Sequence, residues 1–142
     1  MTQSLGLKSL PSLEKEITRG QIRRYSAISG DFNPIHLDDD FAARSFFGRV
    51  VAHGMLTLAF LSEMMTQAFS HHWLETGTLK VRFKNSARPG DRLRTKGQVI
   101  KEESKDGFRL VTCSISLADS RDGREIIVGT AMVYLPNDQE TL

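Results

Sequence analysis

The chain has 142 residues, of which 39% are hydrophobic and 25% charged, a composition that fits one globular domain and excludes a disordered chain. Lysine and arginine number 19 against 17 acidic residues, and a net charge of +2 is too small an excess to point to nucleic acid. The single cysteine, Cys113, excludes an internal disulfide and a zinc ribbon, and suits a reducing, cytoplasmic setting.

Met1 to Leu13 lacks a charged start followed by an apolar core, so it is not read as a secretory leader. Leu13 to Ile17 alternates like a short strand. Thr18 and Gln21 have capping-box spacing, which predicts a helix with Ile22, Tyr25 and Ile28 on its apolar face, ended by Gly30. Asp31 to Pro34 reads as loop. Asp38 to Asp40 suit the first turn of a short helix running to about Ser45. From His53 to about Trp73 the pattern is helical and apolar on more than one face, as expected of a buried central helix. The chain's most apolar stretch, Val50 to Leu61, is too short to span a membrane. After Gly77 the period becomes that of strands: Leu79 to Phe83, Leu93 to Lys101 with Gly97 as a bulge, Phe108 to Leu117, and Glu125 to Leu135. Pro89-Gly90-Asp91, Gly107 and Asp122-Gly123 mark the turns. The fold class expected over residues 1–142 is a single α+β domain, a long central helix wrapped by an antiparallel sheet.

The densest group of unusual residues runs from Tyr25 to His36 and holds Asp31 and His36 five positions apart across a constrained turn. A carboxylate and an imidazole together can hold one water and move its protons. By spacing alone, a turn-capping Asp31 and a packed His36 remain open. His71 and His72 are adjacent and are expected to point to different sides of a helix, a poor metal pair. Asp31, His36 and His53 are a conceivable metal set. Asp38 to Asp40 lack the loop that calcium needs. Met55, Met64 and Met65 are read as core, and Cys113 as structural.

The stretch from Tyr25 through Ser29-Gly30-Asp31, Asn33-Pro34-Ile35-His36 and on to Ala42 resembles the signature of the MaoC-like hydratases, or R-specific enoyl-CoA hydratases, of hot dog fold. Ala52-His53-Gly54-Met55 is similar to the start of that family's central helix. Arg82-Phe83 with Pro89-Gly90-Asp91 is similar to its next strand and turn. The intervening Lys84 to Arg88 is more polar than the family pattern. The resemblance implies hydration of a trans-2-enoyl thioester to an R-3-hydroxyacyl thioester, or the reverse, without metal or cofactor. Asp31 and His36 would bind the water, with Asp31 the favoured base. The N–H of Gly54 would meet the thioester oxygen. Asn33 and Pro34 would fix the loop, and Ser62 would stand beside the site. Arg82, Lys84 and Arg88 are candidates for CoA phosphates. A cytoplasmic homodimer joined edge to edge is implied, with no nucleic-acid or membrane partner. The competing expectations are a 3-hydroxyacyl dehydratase acting on acyl carrier protein, a hot dog thioesterase, and a non-catalytic partner subunit. Met64, Met65 and Phe69 are candidates for setting acyl-pocket depth.

Overall fold

In a computed structural model, which describes residues 8–137, the elements follow from local chemistry. Residues 1–7, most of the stretch weighed above as a leader, and residues 138–142 lie outside the described residues.

Strand β1 (Glu14–Glu16) is followed by helix α1 (Arg19–Ser29). The capping box is complete: Thr18 Oγ1 accepts from the Gln21 amide at 3.1 Å, and Gln21 Oε1 accepts from the Thr18 amide at 3.0 Å. Such a cap is worth about 1 kcal/mol. Gly30 ends the helix with φ 80° and donates to the Ser26 carbonyl at 2.9 Å, a left-handed closure that costs glycine no Cβ strain. Ile22 and Ser26 are buried, whereas Ile28 is 84% exposed and does not belong to the inner face.

Two short helices follow, α2 (Pro34–Leu37) and α3 (Asp39–Ala43). The first was not expected. Pro34 at its first position sacrifices no needed N–H, and Asn33 Oδ1 accepts from the Ile35 amide at 3.1 Å. Asp38 caps α3 through the Phe41 amide at 3.1 Å.

The expected long helix is broken into α4 (Gly54–Phe69) and α5 (His71–Thr76). The break is at Ser70, whose φ of 55° no helix continues. It lets Trp73 fold back on α4, where its indole N–H donates to Ser62 Oγ at 2.9 Å. A Cβ on Gly77 would collide with the Trp73 ring, so only glycine permits the chain to leave α5 there.

Strands β2 (Thr78–Phe83), β3 (Arg92–Lys105), β4 (Phe108–Asp119) and β5 (Glu125–Pro136) complete one antiparallel sheet of order β1-β3-β4-β5-β2. The bulge expected at Gly97 is instead a register shift between Val99 and Lys101, at the half-exposed Ile100. Gly97 stays in register opposite Ile115, where a Cβ would come within 2.7 Å of Leu10 and 2.9 Å of Met64. The buried face of α4, including Leu61, Met64, Met65 and Phe69, lies in one core cluster with Val99, Val111, Cys113 and Val133. Each fully buried large side chain there contributes roughly 1.5–3 kcal/mol. Burial pushes the Cys113 thiol up to about 12, with Glu102 adding to the effect, in keeping with an inert core residue. Among the described residues no helix is long and apolar enough to cross a membrane.

Candidate active site

The turn after α1 is shaped by local side-chain bonds. Ser29 Oγ accepts from the Asp31 amide at 3.1 Å, and Asp31 Oδ1 accepts from the Asn33 amide at 3.1 Å. With Asn33 capping α2 and Pro34 starting it, the segment from Asp31 to His36 has little freedom. The signature thus builds a loop in which each polar side chain fixes the next turn.

Its two ends meet. His36 Nε2 lies 3.9 Å from Asp31 Oδ2. His36 is buried and its Nδ1 lies 2.7 Å from the Val51 carbonyl. A carbonyl only accepts, so Nδ1 carries the proton and, in the neutral ring, Nε2 presents its lone pair toward Asp31. Asp31 is exposed at 52% of its side chain. Two acceptors side by side can hold a water by both of its hydrogens, leaving the oxygen lone pairs free to attack. Either group can then take the proton.

A third ring lies against the pair. His53, 2% exposed, stacks on His36 with centroids 3.8 Å apart and planes 24° apart. Its Nε2 is 3.1 Å from the Asp31 main-chain oxygen and 3.1 Å from Ser26 Oγ, and Tyr25 packs at a 4.8 Å centroid distance. Burial depresses the basicity of His53; the bond to Asp31 opposes this only partly, and His36 lowers it further.

His53 is also the residue before α4 and supplies no side-chain cap. The helix therefore leaves its first N–H groups, beginning with Gly54, available to an oxygen from outside. Thr57 Oγ1 donates to the Gly54 carbonyl at 2.6 Å, tying down this first turn. A Cβ on Gly54 would stand 3.3 Å from the Phe83 ring, which would have to give way.

Two hollows flank this region. The larger, about 630 Å³, is lined by Phe47, Gly54, Phe83, Lys84, Arg88 and Arg124 among others. The smaller, about 360 Å³, is lined by Arg19, Arg23, Ser26, Phe32, His36 and Leu37. Of the three basic residues singled out in the sequence, Lys84 and Arg88 line the larger hollow; Arg82 is not in its lining. Arg124, which the sequence reading passed over, joins them. The buried Asp91 carboxylate holds it at 2.7 Å and also accepts from the Arg88 amide at 2.9 Å. An arginine in a turn carries no signal of its own; the Pro89-Gly90-Asp91 turn that aims it was visible.

Ser62 is not brought to the site. It sits two turns along α4 from Gly54, and its hydroxyl is engaged by Trp73. His71 and His72 correct another expectation: their rings lie 4.1 Å apart, and their ligand atoms and that of Glu75 fall within 4.8 Å of one another. Asp31, His36 and His53 form a second such group, but His36 Nδ1 and His53 Nε2 are already committed to carbonyls.

Comparison with known proteins agrees with this architecture. The family model described as MaoC like domain matches residues 2–121. The chain is 30% identical over 131 residues to a 3-hydroxybutyryl-CoA dehydratase of Methylorubrum extorquens, covering 90% of this chain and 79% of the relative. It is 28% identical over 134 residues to an (R)-specific enoyl-CoA hydratase of Aeromonas caviae, covering 94% and 98%. The solved structure of an (R)-hydratase from A. caviae superposes with a TM-score of 0.78 at 27% identity, over 95% of this chain and 100% of that one.

Proposed function

The chain belongs to the MaoC-like family of hot dog hydro-lyases, and we propose that it adds water reversibly to a trans-2-enoyl-CoA, giving the (R)-3-hydroxyacyl-CoA. The observation that carries this reading is the Asp31–His36 pair, two proton acceptors 3.9 Å apart on a loop fixed by its own side chains.

In the proposed mechanism the water donates to both groups and attacks C3. Asp31 takes the proton, and negative charge builds on the thioester oxygen. The Gly54 N–H at the head of α4 receives that charge, an interaction whose loss typically costs about 3 kcal/mol. A proton then returns to C2. His36 keeps its orientation throughout because Nδ1–H is held by Val51. The chemistry is proton transfer and charge stabilisation by the chain's own groups, so no cofactor is invoked, and treatment with a chelator is expected to leave turnover unchanged.

The basic lining of the larger hollow, Lys84, Arg88 and Arg124, favours a phosphate-bearing carrier, and CoA is the carrier proposed. The expected result for the combined Lys84→Ala/Arg88→Ala variant is a KM for the CoA thioester raised about tenfold with kcat nearly unchanged, since charge-assisted bonds to the carrier act equally on ground and transition states. Steady-state kinetics at low and high salt check this; an unchanged KM would remove CoA phosphates from this hollow. The same chemistry on acyl carrier protein is the second reading, favoured by the same cations because carrier proteins are acidic.

A cytoplasmic homodimer is proposed with it. The outer edge of β2 has no strand partner among the described residues, and pairing with a second β2 would satisfy its open N–H and C=O groups. Mixing the purified protein with crotonyl-CoA and following loss of enoyl-thioester absorbance tests the reaction. Rapid hydration to the R product supports the proposal. S product overturns the stereochemistry, and no hydration on CoA or carrier-protein substrates overturns the reaction.

A further inference from the structure

His53 is the most buried titratable side chain near the pair, yet the mechanism above gives it no step. It is 2% exposed. One face of its ring lies 3.8 Å from His36, and Tyr25 packs against it at 4.8 Å. Its Nε2 faces two oxygens at 3.1 Å, the Asp31 carbonyl and Ser26 Oγ. Its Nδ1 is buried with no partner.

These facts fix its protonation. The Asp31 carbonyl only accepts, so Nε2 carries the proton and Ser26 Oγ shares it as a second acceptor. A proton on Nδ1 as well would be a charged donor buried without an acceptor, which is expensive. The titratable groups facing the ring are Tyr25 from α1, Asp31 from the following turn and His36 from α2, and only Asp31 favours a positive charge there. Burial and the neighbouring His36 both work against it.

We propose that His53 is a positioning residue of the reaction: its Nε2–H anchors the Asp31 main chain, and so holds Asp31 against His36, on whose ring it lies. One side chain thereby registers the two members of the pair against each other. The local turn bonds fix Asp31 relative to Asn33, and Val51 fixes His36, but His53 is the group that touches both.

This inference rests on the hydratase reading, and its test separates the two. His53→Gln keeps an N–H at about the reach of Nε2 and loses the ring; His53→Phe keeps a ring and loses the donor. Because a misplacement of about 1 Å can cost ~10²-fold, the expected result is kcat lowered about 30- to 100-fold in His53→Phe with KM nearly unchanged, and largely rescued in His53→Gln. Equal losses in both variants, or losses in thermal stability with kcat of the folded enzyme preserved, overturn the role. The second measurement needs no substrate and no variant. ¹⁵N NMR of the histidine-labelled wild-type protein is expected to show His53 as the Nε2–H tautomer, uncharged at neutral pH. An Nδ1–H tautomer or a protonated ring overturns the anchoring bond. A wild-type protein inactive on every enoyl thioester, with the Nε2–H tautomer present, would overturn the hydratase reading and the reaction role with it, leaving the anchor itself established.

Discussion

Asp31→Asn is expected to leave a folded protein that hydrates crotonyl-CoA about 10³-fold more slowly, within the range that a positioned acid–base group supplies. The fold survives because, among the described residues, the hydrogen bond that the Asp31 side chain gives the structure is the one from the Asn33 amide to Oδ1. The amide oxygen of asparagine accepts it equally well. The main-chain carbonyl that His53 holds is untouched. What changes is the atom facing His36. Oδ2, 3.9 Å from Nε2, becomes either an NH₂, which donates where a water must donate, or a neutral oxygen with little appetite for a proton. The check is kcat of both proteins by enoyl absorbance, with circular dichroism to establish that the variant is folded. A variant retaining a tenth or more of wild-type kcat would show that Asp31 is not the base.

Gly129→Ala is expected to be the most damaging single methyl in the sheet. Gly129 of β5 faces Val81 of β2, and an added Cβ would fall on the carbonyl oxygen of Lys80 and within 2.7 Å of Val81 Cα. Both obstacles are backbone, so no rotamer relieves them and β2 must move. We expect a cost of about 3 kcal/mol, equivalent to a fall in Tm of roughly 10 °C for a domain of this size. Gly97→Ala is the comparison. Its Cβ meets the ends of Leu10 and Met64, flexible side chains that can turn aside, so the loss is smaller. Thermal unfolding of both variants and the wild type decides the order. A Gly129→Ala protein melting within two degrees of wild type would mean that β2 is not held in the register seen here.

Much of this was legible in the residues. Capping spacing located α1, alternation located all five strands, and the signature from Tyr25 to Ala42 located the pair. Those features are local, and local chemistry fixes them. The breaks came where distant residues decide. Ser70 itself carries no signal that α4 stops there; the turn at Ser70 brings Trp73 back onto Ser62, eleven residues earlier in the chain. The same contact takes Ser62 away from the role expected of it. Gly97 looked like a bulge because a glycine within a strand often is one, but it is the closeness of Leu10 and Met64 that excludes a side chain. Arg124 entered the larger hollow through a buried carboxylate 33 residues earlier in the chain. His71 and His72 open α5 with their rings 4.1 Å apart, which adjacency in a helix alone did not suggest.

The strand order carries a consequence for how the molecule is made. The three inner strands, β3, β4 and β5, are joined by consecutive turns, so they can zip together from neighbouring chain. β2 cannot: Thr78 to Phe83 waits for Ile127 to Met132, about fifty residues later, and long-range pairing of this kind is slow. On a ribosome the segment bearing Asp31, His36 and His53 emerges first, with an apolar helix behind it and no sheet to cover that helix. The apolar helix therefore stays uncovered until the sheet forms, and β2 stays unpaired until β5 leaves the exit tunnel. A message cut short within β5 would yield a chain with every reacting residue present, but with β2 unpaired and part of the core that covers α4 missing.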